Sequence, residues 1–177
     1  MAITRNKEIR SAASPDNLAV ETILEVYWSR ICRSLFSLLG DWDEAEDLAL
    51  ETFLRWHQQP PRDTTNPGGW LYRVATHLGL NALRARQRRQ HYETLAEAPG
   101  LETDPADLAA REQEAARVRE ILSQLKPRSA QILLLRHSGM SYAEIARELA
   151  VAQASVGSLL ARATQEFESL YRNLEGD

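Results

Sequence analysis

The sequence predicts an all-α protein of two small helical domains joined by a flexible linker, on three observations. Leu, Ala, Arg and Glu are plentiful while glycine is scarce, 8 in 177 residues, which is a composition of strong helix formers. Apolar residues recur at three- and four-residue spacing along most of the chain. An acidic stretch with Pro99, Gly100 and Pro105 interrupts that periodicity, and reads as a tether.

The elements follow in order. Residues 1–13 are charged, lack an apolar run and read as a disordered tail rather than a signal peptide. Ser14-Pro15 is an N-cap and first-turn pair opening a helix to about residue 39. Its stripe is Leu24, Tyr27/Trp28, Ile31, Leu35 and Leu38/Leu39, and Gly40 closes it. A second helix, about 43–57, buries Ala45, Leu48/Ala49, Phe53 and Trp56. Residues 58–69, with Pro60, Pro61, Pro67 and two glycines, read as a loop. A third helix, from Trp70 to about Gln90, turns Leu71, Val74, Ala75, Leu78 and Leu83 inward. These elements make a first domain over 14–92, followed by the linker 93–105.

The second domain, 106–177, starts with a helix over about 105–125. Pro127 then opens an apolar helix that stops at Ser138-Gly139, a C-cap signal. Ser141 with Glu144 three residues on is a capping box that begins a helix through Leu149. A last helix, about 153–170, carries Val156, Leu160, Ala163, Phe167 and Leu170 on one face. An apolar helix, a Gly-containing break and a small-residue helix spell a helix-turn-helix, whose last helix enters the major groove in DNA-binding proteins.

Charge is segregated. The net charge is −4, which argues against DNA binding from composition alone, but Asp41, Asp43, Glu44, Glu46, Asp47 and Glu51 form one acidic block. Between Thr64 and Tyr92 there is no acid, while Arg73, Arg84, Arg86, Arg88 and Arg89 accumulate. Separate surfaces for separate partners are the natural reading. The carboxylates suit arginines of a partner helix. The third helix mixes flat rings (Trp70, Tyr72, His77, Tyr92) with arginines, as single-stranded DNA binding requires. Without a local acid in the sequence, Arg84, Arg86, Arg88 and Arg89 repel one another unless a polyanion is near.

Other functions find little support. The lone Cys32 sits in an apolar helix and reads as a buried structural thiol in a reducing, cytoplasmic setting. His57, His77, His91 and His137 lack metal-ligand spacing. There is no Gly-rich phosphate loop and no membrane-length apolar run. No enzyme, cofactor or membrane insertion is expected. Trp42 and Tyr142 read as packing residues.

The run from Gly40 to Leu48, with Glu51-Thr52-Phe53-Leu54, resembles region 2.2 of the extracytoplasmic-function (ECF) sigma factors. Pro67 to Ala75 and Asn81 to Arg84 are similar to their regions 2.3 and 2.4, and the carboxy-terminal unit is similar to region 4. The resemblance implies a promoter-specificity subunit of bacterial RNA polymerase, one that docks on the core enzyme, reads two promoter elements and assists melting. It implies core-polymerase contacts at Asp43, Glu44, Glu46, Asp47, Leu50 and Glu51, on a clamp coiled coil. It implies −10 contacts along Trp70, Tyr72, Arg73, His77, Asn81, Arg84, Arg86, Arg88 and Arg89, with the 58–69 loop beside a flipped base. It implies −35 contacts at Gln153, Ser155, Ser158 and Arg162, with Arg128, Arg136 and Arg147 as phosphate anchors. An anti-sigma partner is a further expectation.

The chain departs from the family at five places. Leu50 replaces the usual Gln, Ala150 the turn Gly, Ala152 the capping Ser, Gly157 a Lys and Leu159 an Arg. The last two remove cations from the recognition helix, so weak or unusual −35 recognition is expected. An alternative is a sigma-like protein that binds polymerase or an anti-sigma partner without reading a −35 element. A stand-alone helix-turn-helix repressor would leave the first domain unexplained.

Overall fold

A computed structural model describes residues 15–61, 65–93 and 106–175; the tail and nearly all of the linker lie outside them, and so does Ser14. Seven helices and no strand occur among the described residues: α1 Pro15–Leu39, α2 Trp42–Gln58, α3 Pro67–Glu93, α4 Ala106–Gln124, α5 Pro127–His137, α6 Tyr142–Glu148 and α7 Gln153–Glu175.

Local chemistry fixes the helix ends. Gly40 at φ +72° ends α1, its N–H donating to the Phe36 carbonyl, a left-handed conformation glycine adopts at no steric cost. Asp41 then caps α2, its carboxylate accepting from the Glu44 N–H at 3.0 Å. Asn66 does the same for α3, accepting from the Gly69 N–H at 3.0 Å, and Pro67 supplies the first turn. The third helix therefore starts three residues before the expected Trp70, and the 58–69 loop is correspondingly shorter. The expected capping box at Ser141 and Glu144 is present in both directions. Lys126 brings no side-chain cap to α5; Glu166 of α7 replaces it, accepting from the Lys126 N–H at 3.1 Å and the Ser129 hydroxyl at 2.8 Å. Burial pushes the Glu166 carboxyl up, but these bonds and the Lys126 charge outweigh it and hold it below its ordinary value.

The expected stripes turn inward, though Leu24, Tyr27, Trp28, Leu48, Leu160, Phe167 and Leu170 are only partly buried. Ile31, Cys32, Leu35, Leu38 and Leu39 of α1 meet Ala45, Ala49, Phe53 and Trp56 of α2 and Leu71, Ala75, Leu80 and Leu83 of α3. Burial also raises the Cys32 thiol pKa, with the Glu46 charge adding to it. Ile121, Leu122, Leu125 and Ala130 join the same core, so α4 packs on α3 and α1, and the start of α5 on α3. A second core, Ile132, Leu135, Met140, Ile145, Ala146, Val156 and Ala163, holds the helix-turn-helix together. Tyr72 and Leu133 touch both cores.

Gly79 lies where α3 packs closely on α1. A Cβ there would lie 2.7 Å from the Leu38 Cδ2 and 3.0 Å from the Leu35 Cδ2, so a larger residue would have to push these two leucine side chains aside.

Candidate nucleic-acid interface

The basic and aromatic residues of α3 whose side chains are described fall into three groups; Tyr92 lies outside them. At its first turns Trp70 is half-buried, edge-on to Trp56 at 5.3 Å. The Arg73 guanidinium lies 5.9 Å from the Trp70 ring centre and pairs with Glu148 of α6 at 3.0 Å. Asn66 donates to Glu144 of the same helix at 3.2 Å. Tyr72 is half-buried too, and desolvation raises its phenol pKa. Leu71 is fully buried and belongs to the core.

The middle of α3 is open. His77 and Asn81 are exposed, one turn apart, and their side-chain nitrogens approach to 3.1 Å. Arg88 continues this side and is exposed, as is Arg89.

The remaining two arginines have structural partners. Arg84 donates to the Ser123 and Leu125 carbonyls at 3.3 and 3.2 Å, satisfying the carboxy-terminal end of α4, which has no intrahelical donors. Desolvation, with neighbouring Arg88, lowers the Arg84 pKa. Arg86 donates to the Leu39 carbonyl at the end of α1, at 3.4 Å. Acid is also nearer than the sequence implied. Asp41, the cap of α2, and Asp43, Glu44 and Asp47 within it line one open cleft with Arg86 and Arg89. The expectation that the arginine quartet lacks a nearby acid holds along the chain but not in space, because Gly40 folds α2 back beside α3.

On α2, Asp43, Glu46, Asp47 and Leu50 are exposed, while Glu44 and Glu51 are partly covered. Glu51 pairs with Arg55 at 2.5 Å. Trp42 is not a packing residue; like Leu50 and Leu54 it is largely exposed, and its indole N–H donates to Glu46 at 2.9 Å.

In the helix-turn-helix, Gln153, Ser158, Arg162, Arg128 and Arg147 are exposed and Ser155 is partly covered. The Ser158 hydroxyl donates to the Ser155 carbonyl at 2.9 Å and Arg162 to the Ser158 carbonyl at 3.3 Å. Arg136 donates to the Met140 carbonyl at 2.9 Å and lies 5.6 Å over the Tyr142 ring, bracing the turn before α6. Tyr142 is exposed rather than packed away. Its ring edge would be 3.7 Å from a Cβ at Gly157, an ordinary contact. Leu159 lines a shallow groove with Ile132, between Arg128 and Arg162. Ala150, where the family has glycine, sits at φ +51°.

Comparison with known proteins bears on both halves. A family model described as Sigma-70 region 2 matches residues 23–89, and one described as Sigma-70, region 4 matches residues 115–166. The chain is similar to the ECF RNA polymerase sigma factor SigW of Bacillus subtilis, at 32% identity over 104 residues, covering 58% of this chain and 54% of that protein. It is 30% identical over 154 residues to the ECF RNA polymerase sigma factor SigE of Mycolicibacterium smegmatis, covering 82% of this chain and 59% of that protein. The chain spans about half the length of the first curated relatives it matches. Among solved structures it is similar in fold to the sigma factor RpoE bound to the anti-sigma factor NepR from Bartonella quintana, with TM-score 0.54, 20% identity, and 87% and 97% of the two chains covered. It is likewise similar to CnrH in complex with the cytosolic domain of CnrY, with TM-score 0.55, 22% identity, and 90% and 89% covered.

Proposed function

Because the chain belongs to the extracytoplasmic-function group of the sigma-70 family, we propose that it directs bacterial RNA polymerase core enzyme to a dedicated set of promoters and assists their melting. The observation that carries this reading is the division of labour between adjacent helices. The outer side of α2 offers exposed carboxylates and leucines, while α3 exposes His77, Asn81, Arg88 and Arg89 beside the Trp70 turn. A polymerase helix bearing arginines suits the first surface; an unpaired DNA strand suits the second.

In this reading the region 2-like unit is 14–92, the linker 93–105 and the region 4-like unit 106–177. Asp43, Asp47 and Leu50 bind core enzyme. Trp70, Tyr72, Arg73, His77 and Asn81 engage the −10 element, Arg88 and Arg89 neutralise phosphates, and Gln153, Ser155, Ser158 and Arg162 approach the −35 element. The protein works in the cytoplasm as a binding subunit without a reaction of its own. No described helix is long and apolar enough to cross a membrane. An anti-sigma protein is the expected regulator, since the RpoE similar in fold was solved with one.

Because α6 engages Asn66 and Arg73, reading the −10 strand requires these contacts to be exchanged for DNA. Run-off transcription with purified core enzyme on genomic fragments tests the proposal. Promoter-dependent transcripts are expected only when the chain is added; core binding without such transcripts refutes it.

A second reading, binding polymerase without reading a −35 element, is favoured by Gly157 and Leu159, where the family has cations, and by Arg136, whose guanidinium braces its own turn. A flat salt dependence of −35 DNA binding would select it.

A further inference from the structure

Among the described residues six large apolar side chains stand well out in solvent, and four of them cluster on or against α2: Phe36 at 42% exposure, Trp42 at 44%, Leu50 at 50% and Leu54 at 47%. Singly such residues mean little, but Phe36 and Trp42 touch each other, and Leu50 and Leu54 add exposed apolar side chains about two and three turns farther along α2. The sequence offered no reason to group them, since Phe36 belongs to the preceding helix.

Two contacts hold the Trp42 ring without burying it. Its indole N–H donates to Glu46 at 2.9 Å, and its ring meets Phe36 in an edge-to-face pair at 5.2 Å and 65°. Glu46, Leu50 and Leu54 follow Trp42 at four-residue steps, each step turning about 40° round the helix, so the leucines lie beyond the Glu46 carboxylate on a strip that winds along α2. A ring already fixed in position loses little further freedom on binding, which is the property of an anchor residue.

The surroundings define the occupant. Asp43, Glu46 and Asp47 are exposed beside this strip, and α2 carries no base before Arg55, although Arg86 and Arg89 of α3 face Asp43 and Asp47 across an open cleft. The carboxylates of α2 disfavour nucleic acid on the strip itself. A second copy docked through the same face would set like charges against each other. A helix carrying Arg or Lys beside apolar residues complements it.

We infer that Phe36 and Trp42 form an apolar anchor at one end of the polymerase-binding face of α2, seating an apolar side chain of a basic helix of the core enzyme. Leu50 and Leu54 continue the seat. The inference rests on the proposed docking of α2 on core polymerase and adds residues from α1 and the α2 start to it.

The test compares full-length variants for affinity to purified core enzyme. Trp42→Ala is expected to weaken binding about 30-fold and Phe36→Ala several-fold, the scale of a buried aromatic anchor, with single-stranded DNA binding unchanged. Trp42→Glu separates anchoring from folding. An acid in the first turn favours the helix dipole, so its melting temperature should hold while core binding falls as far as in Trp42→Ala. Asp43→Lys/Asp47→Lys serves as the control for the face itself. If the charge variant loses binding while Trp42→Ala, Phe36→Ala and Trp42→Glu stay within twofold of the parent, the anchor is refuted and the docking face stands. If none of the four variants changes core binding, the docking face is refuted and the anchor with it. Concentration-dependent dimerisation abolished by Trp42→Ala would also overturn the assignment, in favour of a second copy.

Discussion

Replacing Glu148 by Gln should strengthen binding of this chain to single-stranded −10 DNA. Glu148 pairs with Arg73 at 3.0 Å, with side-chain exposures of 10% and 37% respectively. An ion pair with one partner that accessible is partly screened and contributes about 0.5–1 kcal/mol. The neighbouring Asn66–Glu144 bond at 3.2 Å adds a neutral-to-charged hydrogen bond that the Gln variant leaves in place. The isosteric amide keeps the packing of α6 and can still accept from Arg73, so the loss should approach but not exceed the ion-pair value. At about 1.4 kcal/mol per factor of ten, the contact between α6 and α3 weakens about two- to fivefold. DNA that competes for Arg73 then binds tighter by the same factor. Fluorescence anisotropy with a labelled single strand at fixed salt measures it. The apolar packing of Ile121, Leu122 and Leu125 on the first core is untouched, which bounds the gain. Equal or weaker DNA binding by Glu148→Gln, alongside a clear loss in Arg73→Ala, would show that Glu148 does not compete with DNA. No loss in Arg73→Ala would remove Arg73 from the interface altogether.

Three further outcomes are expected. Ala150→Gly should stabilise the chain by about 0.5–1 kcal/mol, since a left-handed backbone strains any residue with a Cβ; thermal unfolding should rise by roughly 1–4 °C. Gly157→Lys should raise the helicity of α7 and steepen the salt dependence of −35 DNA binding by about one phosphate contact, because only the Tyr142 ring lies near a Cβ at that position. The Glu144 carboxyl is held below its ordinary value of 4.5, first by the Ser141 hydroxyl, then by the Ser141 N–H and by Asn66. Its contribution to stability is therefore present above that value and fades as pH falls through the lowered one. Circular dichroism on acidification should show a loss that Ser141→Ala makes smaller.

Most helix ends were legible because their signals are local. Gly40, Ser141 with Glu144, and Ser138-Gly139 each act within a few residues of the end they define. Asn66 was equally local, an Asn before Pro67-Gly68-Gly69, yet the density of turn-forming residues there favoured a loop reading. Glu166 capping α5 could not have been read, since its partners Lys126 and Ser129 lie 40 and 37 positions away. The same is true of Arg84, which reaches carbonyls 39 and 41 residues along the chain. Periodicity located the buried stripes, down to Leu71, Ala75 and Val156, but it does not report which exposed surfaces cluster. Trp42 therefore read as core. Gly79 carried no turn signal either, and its role emerges only where Leu35 and Leu38 of α1 cross it.

Arg84 and Arg86 close the ends of α4 and α1 from within the basic run. Reversing the charge of all four arginines would thus unseat two helices as well as strip the phosphate-facing cations, and a collapsed fold would masquerade as a defect in promoter opening. Charge reversal confined to Arg88 and Arg89, which hold neither of those two helix ends, isolates electrostatic capture of the strand from the integrity of the bundle.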